Sequence, residues 1–199
     1  VIEELKKEFK PVYLLEGDKY PVIFISVPGS PDGKSLYRAI LNKMGVKASK
    51  QATESMLREQ SVQLLIEAET KLLVIDEVQH FVEKEAKKKA SAIADCFKTL
   101  MNDATVSIAF FGLPYLTQLL DENSQLRRRF SETCEMTGWN LERTDDSISF
   151  CSAIKGLLSK SGANLKTEVL DDNRVIDKIY YATDGRISYL VTLIAETIR

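Results

Sequence analysis

The sequence has little of what several common kinds of site are built from. It has one histidine, His80, among 199 residues, which excludes a multi-histidine metal centre. The three cysteines, Cys96, Cys134 and Cys151, are isolated, odd in number and outside any CxxC spacing. They read as reduced thiols rather than a disulfide framework. No apolar run approaches the ~20 residues of a membrane span, and no signal-peptide pattern opens the sequence, so a cytoplasmic setting without a membrane partner is expected. Charge of one sign is also lacking. The 27 Lys and Arg nearly balance the 29 Asp and Glu, for a formal net charge of -2. Any contact with nucleic acid must then come from a local patch or from assembly. What is present is ordinary for a globular chain, 44% hydrophobic and 28% charged residues. The length suits one α/β domain with a small helical appendage.

Residues 71–80, KLLVIDEVQH, are the most informative stretch. An apolar run without alternation reads as a strand buried on both faces of a parallel sheet. In such sheets ligands sit beyond the carboxyl ends of the strands, where Asp76 and Glu77 would emerge. Two acids there suit phosphate chemistry: Asp76 to hold Mg²⁺ through water, Glu77 to polarise the water that attacks a γ-phosphate. This is the form of a Walker B motif with a catalytic glutamate. The alternative is a buried strand followed by two acids that cap a helix.

Other elements follow from periodicity and punctuation. Residues 1–10 read as a helix that starts without a cap, with Val1, Ile2, Leu5 and Phe9 on one face. Residues 20–27 (YPVIFISV) and 106–112 (VSIAFFG) read as two more buried strands. Helices are expected over 35–44, closed by Gly45, and over 51–69, 90–101 and 115–120. Residues 134–139 read as one more short strand, and helices over 145–159, 172–183 and 186–199 follow. Strands alternating with helices, then helices only, predict an α/β fold: an open parallel sheet flanked by helices over residues 1–142, with a C-terminal helical subdomain over 143–199. There is no internal repeat and no low-complexity linker.

Residues 28–35, PGSPDGKS, invite a second reading. Gly-Lys-Ser falls between a strand and a helix, as a GxxxxGK[ST] phosphate loop requires. Pro28, however, stands where the first glycine belongs; it supplies no N–H and cannot adopt φ > 0. Moreover, two helices and no strand lie between Ser35 and Lys71. In this kind of nucleotide-binding sheet a further strand separates the phosphate loop from the acidic strand. Residues 20–27 are therefore read as the second strand. The genuine loop and its central strand are expected upstream of Val1, in a natural protein that begins earlier.

In this order the elements resemble the TniB/TnsC family of transposition ATPases, a branch of the AAA+ proteins. Four segments carry the resemblance: VIFISVPGSPDGKSLYRAILNKMG, LLVIDEVQHF, VSIAFFGLPYLTQLLDENSQLRRRF and ATDGRISYLVTLI. It implies a P-loop NTPase core with a helical lid, using ATP and Mg²⁺. It also implies a regulator that oligomerises on double-stranded target DNA and links target-selector proteins to a transposase. Carried over residue by residue, Asp76 matches the magnesium-site acid and Glu77 the glutamate that activates water. Arg129, or Arg128, matches an arginine finger offered to a neighbouring subunit, and Arg186 the phosphate-sensing arginine of the lid. Each arginine has a plain alternative as a solvated helix end. After the strand VSIAFFG such proteins present a small polar sensor residue, where this sequence has Leu113. That departure bears on turnover more than on binding.

In ring- and helix-forming members the loop after the second strand faces the central channel. Lys34 would there meet a DNA phosphate, with Ser30 or Ser35 adding hydrogen bonds that position without reading sequence. Lys84, Lys87, Lys88 and Lys89 form a second basic run, better read as a solvated face balanced by Glu83 and Glu85. Two other functions compete: a different AAA+ ATPase, of replication-initiator or secretion-associated type, and a non-hydrolysing adaptor.

Overall fold

A computed structural model describes residues 2–15, 17–27, 31–81, 86–121, 123–130, 132–161, 170 and 172–198, leaving aside the side chains of 3, 4, 86–91 and 119. The chain forms two compact units, Val1–Thr133 and Cys134–Arg199.

The first unit is α/β. Among the described residues three parallel strands, β1 (Val22–Ser26), β2 (Leu72–Asp76) and β3 (Ser107–Phe110), lie in the order β1-β2-β3. Val22 pairs with Leu72 and Ser26 with Asp76 across the first ladder, Leu72 with Ser107 and Ile75 with Phe110 across the second. The middle strand is covered on both faces, as its unbroken apolar run predicts. Leu73 and Ile75 are 0% exposed and Val74, on the opposite face, 1%. On that opposite face of β1, Phe24 takes the Lys6 ammonium of helix α1 (Ile2–Glu8) 5.9 Å above its ring.

Helices α2 (Gly33–Lys43), α3 (Glu54–Glu67) and α4 (Ala86–Asp103) follow β1 and β2. They share one continuous core with the strands, including Ile25, Leu36, Leu57, Leu73, Ile93 and Phe97. Ser61 of α3 donates to the Tyr37 carbonyl of α2 at 3.3 Å, so the buried hydroxyl is satisfied. Gly45 has φ +79, and Val46 N–H and Gly45 N–H return to the carbonyls of Leu41 and Asn42 at 2.9 and 3.1 Å. That is a Schellman closure, as the glycine predicts. The short helices α5 (Thr117–Asp121) and α6 (Ser124–Arg127) complete the unit.

The second unit packs α7 (Thr144–Lys160), α8 (Asn173–Thr183) and α9 (Ile187–Ile198) around Phe150, Ile154, Leu170, Ile176 and Leu190. Trp139 and Tyr180 close on Phe150 with ring centroids at 5.3 and 5.8 Å.

Two expectations are corrected. Residues 134–139 form no strand. Trp139 N–H instead donates to the Gly185 carbonyl at 2.9 Å, a lone bond at a helix junction rather than a ladder. Strand β3 is shorter than expected and half-buried, because it lies at the sheet's edge among the described residues. Its Ile108 and Phe110 reach the core, while Ser107 is exposed.

Candidate functional site

The sheet delivers its polar residues at the carboxyl ends of the strands. At the end of β2 both neighbours grip the backbone: Val27 N–H donates to the Asp76 carbonyl at 2.9 Å, and Phe111 N–H to the Ile75 carbonyl at 2.8 Å. Asp76 is half-buried, and its Oδ1 accepts the N–H of Glu77 at 2.9 Å. Its second oxygen has no partner among the described residues. Glu77 is exposed and held at φ +59, a left-handed conformation costing a non-glycine residue about 1–3 kcal/mol. Such strain persists only where the surroundings impose it. Here a 3₁₀ turn (Val78–Phe81) follows at once, anchored by Val78 and Phe81, which are 0% and 3% exposed. Val78 N–H also donates to the Phe111 carbonyl at 3.1 Å.

Gln79 is buried in this turn and bonds in two directions. Its Nε2 donates to Glu77 Oε2, and its Oε1 accepts Leu113 N–H at 3.2 Å. The backbone N–H can only donate, which fixes the amide's orientation. Leu113, at the expected sensor position, thus contributes its main chain, while its side chain is 50% exposed.

No group of three or more His, Cys, Asp and Glu gathers among the described residues, so no all-protein metal cage is built there. Mg²⁺ does not need one. It keeps several waters and takes one or two carboxylates, with substrate phosphates completing the octahedron. A single carboxylate with one oxygen fixed and one open, beside a second acid, fits that donor set.

The turn after β1 is arranged differently. Asp32 caps α2: its Oδ1 accepts Ser35 N–H at 2.7 Å, while Ser35 Oγ accepts Asp32 N–H at 2.8 Å and donates to the Asp32 carbonyl at 2.8 Å. This reciprocal capping box fills the helix N-terminus with the protein's own carboxylate. A Cβ on Gly33 would stand 2.5 Å from Glu54 Oε1 and 3.0 Å from Cys96 Sγ. Two carboxylates and a used-up hydroxyl leave a poor cradle for phosphate at these residues. Lys34 points to solvent without an ion pair among the described residues. Ser30, with the rest of 28–30, lies outside the described residues, as do Val1, Lys84 and the side chains of Lys87, Lys88 and Lys89. Burial pushes the Cys96 thiol up to about 11.

The candidate finger arginines stand at the end of α6. Leu126, 0% exposed, and Phe130, stacked on Phe110 at 4.2 Å and 17°, pin this turn to the core. Arg127 pairs with Asp121 at 3.7 Å, whereas Arg128 and Arg129 are exposed with no ion pair among the described residues. Arg186 belongs to the second unit, where its Nε lies 3.3 Å from Asp184 Oδ2 and its guanidinium 5.9 Å from the Tyr189 ring.

Reading the sequence identified the acidic pair but missed the bridging role of Gln79 and the closed turn at Asp32. Asp32, three residues before Ser35 at a helix start, is a capping signature that the Gly-Lys-Ser beside it masks. Gln79, polar between apolar Val78 and Phe81, offered a weaker signal.

No curated protein matches the chain. The family model described as Bacterial TniB protein matches residues 1–141, a span that takes in the whole sheet and the acidic pair. The fit extends over more than half the sequence and agrees with the resemblance carried by its motifs, and the chain belongs to the TniB family of transposition-associated proteins.

Proposed function

We propose that this chain is the core of an ATP-dependent transposition regulator of the AAA+ type, which assembles on target DNA and hydrolyses ATP at a site built around Asp76 and Glu77. The observation that carries the proposal is Glu77, an exposed acid in strained backbone at the carboxyl end of a doubly covered parallel strand. Asp76 orients the hydrated metal through its open oxygen. Glu77 accepts the proton of the attacking water as general base. Mg²⁺, when bound, neutralises charge on the β- and γ-phosphate oxygens. Arg129, or Arg128 beside it, reaches a neighbouring subunit's phosphate from its pinned turn, so turnover depends on assembly. Arg186 reports phosphate loss from the helical lid over residues 143–199.

The capping box after β1 supports reading residues 28–35 as something other than the phosphate loop. Lys34 then serves a DNA phosphate, with Ser30 or Ser35 adding hydrogen bonds; Ser35, committed to Asp32, contributes chiefly by holding the turn. The transposase and target-selector proteins are the assembly's further partners. One observation favours a second reading, a non-hydrolysing adaptor: Leu113 offers no polar side chain at the sensor position.

ATP hydrolysis by the natural full-length protein, with and without duplex DNA, decides between them. Turnover stimulated by DNA and lost in Glu77→Gln supports the ATPase. Tight DNA or protein binding with no turnover in either supports the adaptor.

A further inference from the structure

We infer that Gln79 is a positioning residue that aims the Glu77 carboxylate and couples it to the turn after β3. This rests on the ATPase reading above and deepens it. Gln79 is 4% exposed, so its amide has no water to fall back on and must be satisfied by protein. Its two bonds run to groups on different strand ends, the Glu77 carboxylate after β2 and the Leu113 N–H after β3. Glu77 itself is exposed and rotatable; the buried amide is the contact that restricts it. Space for that amide is provided by Gly112, where a Cβ would stand 2.5 Å from Gln79 Oε1 and 3.3 Å from Val78 N. The contact made with a main-chain N–H explains how an apolar side chain is tolerated at Leu113. The turn signals through its backbone, and Gln79 relays to the base what a polar side chain there would have touched directly.

The relay has a distinctive mutational signature. Gln79→Met keeps volume but loses both hydrogen bonds, and Gly112→Ala displaces the amide from the other side. Either is expected to lower kcat about 10–100-fold with ATP affinity within about twofold, since misaiming a reacting group by about 1 Å costs that order. Leu113→Ala, which keeps the N–H, is expected to stay within about threefold of wild type, because uniform loss of an exposed side chain leaves the bond intact. The decisive measurement is a double-mutant cycle in the full-length protein: a residue acting through Glu77 adds nothing once the carboxylate is gone, so Glu77→Gln with Gln79→Met should be no slower than Glu77→Gln alone. A merely structural residue would lower the residual rate and the Tm additively.

Wild-type kcat in Gln79→Met, or full additivity in the cycle, overturns the relay and leaves the ATPase intact. Equal turnover in wild type and Glu77→Gln overturns the ATPase reading and the relay with it. Should Gln79→Met fail to fold, Gly112→Ala decides in its place: a lowered kcat together with weakened hydrogen-exchange protection of the Leu113 amide supports the relay, and an unchanged kcat overturns it.

Discussion

Two turns leave the carboxyl end of the sheet and use their polar groups differently. After β1, Asp32 Oδ1 and the Ser35 hydroxyl are committed to each other's backbone at the start of a helix, and Gly33 is hemmed in by Glu54 and Cys96. After β2, one oxygen of Asp76 is left open and Glu77 is kept in a costly conformation facing solvent. The first turn has the more familiar motif, and the second carries the acids proposed for catalysis. Motif letters report which residue types are present; the hydrogen-bond inventory reports which of their groups are already committed.

Substitutions can break this contrast. The largest effect is expected from comparing Glu77→Gln with Lys34→Ala in an ATPase assay. The first should lower kcat by about 10²–10⁴, the usual worth of a general base. The second should leave turnover within about twofold while weakening salt-dependent DNA binding. Abolished ATP binding in Lys34→Ala would make residues 28–35 a working phosphate loop and reverse the comparison.

A smaller effect, unequal at the two turns, concerns stability. Asp32→Ala removes a satisfied cap and should cost about 0.5–2 kcal/mol in denaturant unfolding. Glu77→Gly relieves the left-handed strain but leaves the buried Gln79 Nε2 without its acceptor, so the two offset and stability should stay within about 1 kcal/mol of wild type, at the expense of activity. If both destabilise equally, the second turn is not strained for function.

The smallest effect is a reactivity. Burial raises the Cys96 thiol to about 11, so little thiolate is present near pH ~8; Cys134 is exposed. Alkylation of the native protein at about pH 8 should therefore modify Cys134 readily and spare Cys96, whose labelling should rise as pH approaches about 11 or as the protein unfolds. Rapid labelling of Cys96 in the native protein under the milder condition would mean that the turn after β1 opens.

The sequence made the sheet and its acidic pair legible for a simple reason. A strand buried on both faces has to be apolar throughout, so KLLVI can be read without partners, and the acids mark where burial ends. Helices closed by local chemistry, such as α2 at Gly45, were legible too. What escaped was non-local. The bond between Gln79 and Leu113 joins residues 34 apart, and no pattern within either segment announces it. Residues 134–139 resemble a strand because Trp139 packs against Phe150, yet that aromatic packing comes from a helix junction. In that junction Gly185, at φ +62, brings its backbone against the Trp139 carbonyl where any Cβ would collide.

The order of the strands also has a consequence in time. Because β2 pairs with β1 and β3 with β2, each ladder joins a strand to the one synthesised just before it. The chain can zip its sheet in the direction of translation, closing only the loop between consecutive strands at each step. Asp76 and Glu77 take their places when the second strand docks. In that order the N–H of Leu113 would arrive only with the third strand, and the Gln79 bridge between the two turns would be completed after the acidic pair.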